Sequence, residues 1–366
     1  MYDRAVEYLR DIEEDERVLI VNHWDMDGSS SSAIVSKILE ETRGRGADSV
    51  RIPENRKHQV GEGIERMIVE EGVEKLIVVD ISVPADRVNE LVENHGVEVL
   101  VIDHHDFDRV PEKGILVNPR IENPGIYIPA SKLCNDISKD FGLDLDWIAG
   151  FGIIQDFGVN QAMELFEKLK RLYPNYFPSN LNQHNLAKGC RYGKYSSVMN
   201  VKPYKDTEKC SRLAFEVLTE SRGLKYVESN DAYSELYQYY EDVSDEIEKI
   251  KESFDSDKEV FEDRKLVFFT FESAFHINSS IATQVSIDSP EWIFVTVRLY
   301  DGDANVSSRC QSGRVDLGGM LERSLPESAG REAEAGGHRK AAGASMDAEF
   351  VDEFKRNLVE NLPEKD

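Results

Sequence analysis

The stretch Val18-Leu19-Ile20-Val21-Asn22-His23-Trp24-Asp25-Met26-Asp27-Gly28 decides how the N-terminal half of this chain is read. Four β-favouring apolar residues run without a polar interruption and then stop at a histidine and two aspartates. So short a run, closed by polar side chains, is the pattern of a parallel strand buried on both faces. After it, Gly28-Ser29-Ser30 opens a helix that the apolar spacing of 32–42 sustains. In an extended segment His23, Asp25 and Asp27 alternate with Trp24 and Met26, so a period of two puts the three polar groups on one side.

The same pattern recurs further along. Leu76-Ile77-Val78-Val79 ends in Asp80, and Val99-Leu100-Val101-Ile102 ends in Asp103, His104 and His105. A further carboxylate, Asp156, follows Gly152-Ile153-Ile154. Strands are expected at 17–23, 48–53, 75–81, 98–103 and 115–118. Helices are expected at 61–71, 84–95, 129–141 and 145–156. Repeated strand–helix–strand units imply an α/β domain with a parallel sheet and helices on both faces. Side chains at the carboxyl ends of such strands meet in one crevice. A lone aspartate after a strand is ordinarily a helix N-cap, but capping accounts for at most one carboxylate of His23-x-Asp25-x-Asp27. Adjacent histidines cannot face the same way on a strand, so one of His104 and His105 points to the crevice and the other beyond it.

Three carboxylates and a histidine crowded together repel unless cations compensate. Two divalent ions about 3.5–4 Å apart would do so and would clamp a phosphoryl group between them. That chemistry is phosphoester or phosphoanhydride hydrolysis with a hydroxide nucleophile.

The chain divides by pattern into a domain over 1–160, a helical or irregular segment over 161–227, a linker helix over 228–256 and a smaller C-terminal α/β domain over 257–366. The Tyr173–Pro178 stretch breaks any helix there, and Lys188–Tyr195 reads as a small basic loop. From 265 a second α/β pattern begins: strand 265–271, helix 278–287, and a hairpin over 292–310 turning at Asp301-Gly302. A helix closes the pattern at about 347–361. Gly336-Gly337 can bring backbone N–H groups close to a phosphate, with His338 as a hydrogen-bond donor; the alternative is a glycine-rich turn before a helix starting at Arg339.

The 366 residues are 40% hydrophobic, enough for packed cores, and the longest apolar runs fall short of a membrane span. Met1-Tyr2-Asp3-Arg4 lacks the layout of a signal peptide, so a cytoplasmic protein without membrane contact is expected. Four scattered cysteines include no C-x-x-C pair, which argues against a zinc knuckle or a disulfide framework. The net charge of −26 works against a broad phosphate-binding surface but leaves room for a local basic groove.

Taken in order, His23-Trp24-Asp25-Met26-Asp27-Gly28, Asp80, Asp103-His104-His105 and Asp156 resemble the four motifs of the DHH phosphoesterase superfamily. Gly336-Gly337-His338-Arg339-Lys340-Ala341-Ala342-Gly343 resembles the signature of its Gly-Gly-His associated domain, which points to the branch of RecJ exonucleases and nanoRNases. The resemblance implies one metal held by His23, Asp25 and Asp80, and another by Asp27, Asp80, His104 and Asp156, with Asp80 bridging. It implies that Asp103 orients the histidines and that His105 sits near the scissile phosphate. Arg309, Gly336, Gly337 and His338 would grip the substrate. The cofactor implied is two Mn²⁺, with Mg²⁺ as the alternative. The expected activity is exonucleolytic hydrolysis of single-stranded DNA or RNA from an end. The alternatives are hydrolysis of short oligonucleotides, 3′-phosphoadenosine 5′-phosphate or cyclic dinucleotides, and a role as a GINS-binding replication component.

Overall fold

The apolar runs at 18–21, 76–79 and 99–102 become strands, and every strand of this half is parallel to its neighbours. Helix α1 (Asp3–Arg10) precedes β1 (Val18–Asn22), α2 (Met26–Arg43), β2 (Ser49–Arg51), α3 (Glu62–Glu71), β3 (Lys75–Val79), α4 (Ala85–His95), β4 (Glu98–Ile102) and β5 (Ile115–Val117). The computed structural model describes residues 2–54, 60–328 and 333–362. The sheet order is β2-β1-β3-β4-β5, parallel throughout. The direction of winding reverses between β1 and β3. Loops leaving the carboxyl ends of those two strands therefore part, and a crevice opens there.

Alternation assigns the strand side chains to faces. Leu19, Val21, Leu76, Val78, Val99 and Val101 join Ile64 and Ile68 of α3 and Val88 and Leu91 of α4 in one core. Ile20, Ile77 and Leu100 have the opposite phase and are also fully buried. Full burial of each such side chain contributes roughly 1.5–3 kcal/mol. A one-residue register slip would reverse every one of these placements. Helices α5 (Ala130–Lys139) and α6 (Asp146–Gln155) pack on α2 and on each other.

The segment 159–227 is helical, with α7 (Met163–Leu172), α8 (Gln183–Lys188), α9 (Arg191–Met199) and α10 (Thr207–Glu220). Helix α7 stops at Tyr173-Pro174, as the proline requires. The loop expected at 188–195 is instead the junction of α8 and α9. Cys190 caps α9 by accepting from the Gly193 N–H, and Tyr192 and Tyr195 are buried with Val198 and Met199 at helical spacing. The basic residues suggest a loop, but the aromatic stripe beneath them sets the structure. Helix α11 (Asp231–Asp257) follows.

The chain forms two compact units, Met1–Lys202 with Asp206–Tyr240, and Pro203–Lys205 with Glu241–Asp366. The second contains β6 (Glu259–Phe261), β7 (Leu266–Glu272), α12 (Asn278–Ser286), β8 (Ile293–Tyr300), β9 (Asp303–Arg309), α13 (Leu317–Ser324), β10 (Glu334–His338), β11 (Ala341–Asp347) and α14 (Val351–Asn361). Its sheet order is β10-β11-β9-β8-β7-β6, and β7–β8 is the one parallel pairing among the described residues of this sheet. Phe268, Val295, Val297, Val306, Met320 and Phe354 lie in its core.

The expected hairpin over 292–310 is present, turning through Asp301 and Gly302 at φ 52° and 87°. No helix begins at Arg339: Glu334–His338 and Ala341–Asp347 pair as an antiparallel hairpin. In isolation the alanines of Ala341-Ala342-Gly343-Ala344 favour helix and the glycine opposes it, so local propensity does not decide the element. Here Ala342, Ala344 and Met346 are the buried alternate positions of a strand.

Candidate metal centre

Backbone bonding first brings the motif residues into line. The strand ladder continues one residue past the end of three strands. The N–H of His23 donates to Val79 O at 3.3 Å, that of Asp80 to Ile102 O at 2.9 Å, and that of Asp103 to Val117 O at 3.0 Å. His23, Asp80 and Asp103 thus leave β1, β3 and β4 from one row, at the reversal of the sheet.

The extended reading of His23–Asp27 is corrected by the local structure. The strand ends at Asn22 and the helix begins at Met26. Asp25 is its N-cap, its carboxylate accepting from the Asp27 and Gly28 N–H groups. Asp27 therefore sits in the first turn of α2. A Cβ at Gly28 would lie 2.2 Å from His23 O, so only glycine lets the helix start so close to the strand it leaves. Capping explains Asp25, as elementary helix chemistry demands, and still leaves its second oxygen 2.9 Å from His23 Nδ1.

The remaining distances tie the four motifs together. His23 Nδ1 lies 3.6 Å from one Asp80 oxygen, and His104 Nε2 lies 3.2 Å from the other. His104 Nε2 is also 3.4 Å from Asp156 Oδ2. Asp80 thus stands between two groups: His23 with Asp25, and His104 with Asp156. Potential ligand atoms lie within 4.8 Å of one another in three sets: His23, Asp25, Asp80; Asp27, His104, Asp156; and Asp80, Asp103, His104, His105. His104 is buried and His105 is exposed. Asp103 accepts from the His105 N–H at 3.2 Å and lies 2.8 Å from its Nδ1. Asp80 adopts a left-handed backbone at φ 61°, which costs an L-residue roughly 1–2 kcal/mol.

The electrostatics of this cluster are those of charge crowded out of water. Burial, with Asp27, Asp25 and Asp156 nearby, holds the Asp80 carboxyl well above the usual carboxylate range. Burial and Asp156 do the same to Asp27, against the hydrogen bonds from Ser131. Burial also works against Asp25 ionisation, but His23 overrides it and the net shift is downward. Burial pushes His104 down. It opposes the protonation of His105 too, yet the hydrogen bond to Asp103 prevails and raises that histidine. Carboxylates that cannot all ionise without a cation, mixed with imidazole nitrogen, fit a hard-to-borderline divalent ion.

Sequence reading missed the residues that steady the cluster. Asp27 accepts from the Ala130 N–H at 2.7 Å, from the Ser131 N–H at 3.1 Å and from the Ser131 hydroxyl, all at the N-terminus of α5. The Tyr127 hydroxyl donates to Asp156. Asn118 and Arg120 donate to the backbone carbonyls of His105 and His104 at 3.0 and 2.8 Å. Pro129 ahead of a helix was a visible signal, since a helix start has unsatisfied N–H donors that attract a carboxylate.

Arg309, Gly336, Gly337 and His338 lie in the second unit. His338 pairs with Ala341, and Ala341 pairs with Arg309, so histidine and arginine share one row across three strands. Directly opposed residues point to the same face. Gly337, at φ 137°, has Ala342 Cα 2.6 Å from where a Cβ would stand, so the hairpin closes only on glycine. The Arg309 guanidinium donates to Thr283 Oγ1 at 3.1 Å and Ser279 Oγ at 2.7 Å, and burial lowers its pKa. Among the described residues, no helix is long and apolar enough to cross a membrane.

The chain is similar to known proteins in sequence and in fold. Residues 17–165 match the DHH family, N-terminal domain. Over 120 residues the chain is 27% identical to a putative SPbeta prophage-derived single-strand DNA-specific exonuclease of Bacillus subtilis. That match covers 32% of this chain and 20% of the relative, so it spans about a fifth of the relative's length. A crystal structure of exonuclease RecJ bound to manganese superposes with a TM-score of 0.69 at 20% identity, covering 97% of this chain and 92% of that one. RecJ of Thermus thermophilus in complex with Mn²⁺ gives 0.68 at 18% identity, covering 99% and 55%. The fold is therefore RecJ-like, and residues 17–165 carry the match to the DHH family's N-terminal domain.

Proposed function

We propose that this protein is a metal-dependent phosphodiesterase that removes nucleotides from an end of single-stranded nucleic acid. The observation that carries the reading is the convergence of His23, Asp25, Asp27, Asp80, His104 and Asp156 at the sheet reversal, with buried carboxylates that cannot all ionise alone. His23, Asp25 and Asp80 would hold one Mn²⁺, and Asp27, Asp80, His104 and Asp156 the other, with Mg²⁺ as a substitute. When bound, such a pair neutralises phosphoryl charge and makes a water acidic enough to act as nucleophile near neutral pH.

The protein's own groups have distinct tasks. Asp80 holds both halves of the ligand set in one register. Asp103 takes the His105 Nδ1–H and fixes the tautomer, leaving Nε2 to meet a phosphoryl or leaving-group oxygen. The downward shift of His104 keeps its imidazole neutral and able to donate a lone pair. Arg309, with Gly336, Gly337 and His338, is assigned to substrate phosphate, since a planar guanidinium suits two phosphate oxygens. In this reading the catalytic domain is 1–160, with 161–227 an extension, 228–256 a linker and 257–366 the substrate-binding domain.

The family match and the prophage relative support a nuclease. The charge of −26 favours a second reading, in which the best substrates are very short oligonucleotides. A length series of 5′- and 3′-labelled DNA and RNA strands, digested with Mn²⁺, decides between them. Progressive end-shortening of strands of roughly 20 nucleotides is the expected outcome, and turnover confined to two- to five-mers selects the second reading. No hydrolysis of any strand with Mn²⁺ or Mg²⁺ overturns both.

A further inference from the structure

Phe157 follows Asp156 directly and is the most exposed large hydrophobic residue described, at 77%. Its backbone is left-handed, at φ 57°. Two bonds define the turn: the Phe157 N–H donates to Ile154 O at 3.3 Å, and the Gly158 N–H to Ile153 O at 2.8 Å. This pair of bonds is the helix-ending motif in which the left-handed position is usually glycine, because any Cβ there is strained. A bulky aromatic is among the least suited residues for it. The ring also gains no burial in exchange, so neither folding force accounts for phenylalanine at this position.

The turn itself is firmly held. The Asp156 N–H donates to Gly152 O at 3.0 Å, and Tyr127 donates to the Asp156 carbonyl at 2.6 Å and to its carboxylate. A strained, over-determined residue beside a ligand cluster is where a functional constraint is expected. One residue of backbone separates the ring from the carboxylate that faces His104. In a nucleotide the base lies several ångströms from its phosphate. A phosphate at the cluster therefore leaves its nucleoside within reach of an exposed aromatic that adjoins Asp156.

We propose that Phe157 is a stacking platform for the terminal nucleobase of a single-stranded substrate. The proposal rests on the phosphodiesterase reading of the cluster. Stacking on a flat ring is indifferent to base identity, because every base has a π-face. The residue would therefore select for a base-bearing end without selecting a sequence.

The test uses a short single-stranded oligonucleotide with a non-hydrolysable terminal linkage and 2-aminopurine at the end. It is titrated with Mg²⁺ into the full chain and into F157G and F157W. Glycine suits the backbone, so F157G should fold with an unchanged or higher melting temperature. It should lose the fluorescence quenching and bind about ten- to a hundredfold more weakly, and F157W should restore both. An oligonucleotide abasic at that end should bind native protein and F157G equally. Unchanged quenching and affinity in F157G, beside clear binding by native protein, overturns the platform alone. Native protein that neither binds nor cleaves single strands overturns the platform together with the phosphodiesterase reading.

Discussion

The two sheets assemble their motif residues by opposite means. In the parallel sheet His23, Asp80 and Asp103 follow β1, β3 and β4, two strand–helix units apart and then one, and meet because the ladder ends them in one row. In the mixed sheet His338 and Arg309 meet because antiparallel pairing puts them in register through Ala341. The first device gathers scattered carboxylates where the winding reverses and buries them. The second holds an arginine and a histidine on one face, the histidine exposed and the guanidinium partly buried against Thr283 and Ser279. The first arrangement crowds several carboxylates out of water, whereas the second buries one guanidinium that hydroxyls satisfy.

The sharpest way to break this contrast is at Asp80. Asparagine tolerates the same left-handed backbone and keeps the side-chain shape. D80N should therefore fold normally and lose turnover by on the order of a thousandfold or more, at least about 4 kcal/mol of barrier. Melting curves beside rates with Mn²⁺ check it, and a variant near native rate removes Asp80 from the ligand set. The counterpart in the second unit is R309A. It should raise KM about tenfold, roughly 1.4 kcal/mol, while kcat changes little. Steady-state kinetics on short single strands separate the two, and a fall in kcat at unchanged KM would contradict the assignment to grip.

A third expected effect concerns protons. Without metal, Asp27 and Asp80 hold carboxyl protons above the usual range. Groups with raised folded pKa values add stability below the unfolded carboxylate value of about 4, and this is lost as pH climbs through the folded values. A divalent ion displaces those protons, so its stabilisation grows with pH. Saturating Mn²⁺ should raise the melting temperature by about 5 °C at pH 8 and by less at pH 6, from roughly 2–3 kcal/mol of linkage. Equal shifts at both values would mean that the carboxyls do not titrate with the metal.

Much of this was legible in the chain itself. Four-residue apolar runs located β1, β3 and β4 to within about two residues, because burial on both faces leaves one workable reading. The polar groups that close them marked the crevice. His23–Asp27 misled because a period of two and a capped helix start both bring alternate residues near one another over so short a stretch. Arg339–Gly343 misled because alanine and glycine say little about strand or helix until a neighbour buries them. Ser131 and Tyr127 escaped because a second layer of hydrogen bonds depends on helix placement, which local pattern does not supply.

The bonds from α5 to Asp27 have a consequence for how the protein is made. They join residues 103 and 104 positions apart. Until Ala130 and Ser131 have left the ribosome, the buried carboxylate lacks these donors, although β1 to β4 are already complete. Such distant closure is slow, since chain entropy must be lost before the contact rewards it. The nascent sheet would therefore wait, assembled but with its acidic end open to water, and a fragment ending before residue 130 would keep that acidic end unsealed.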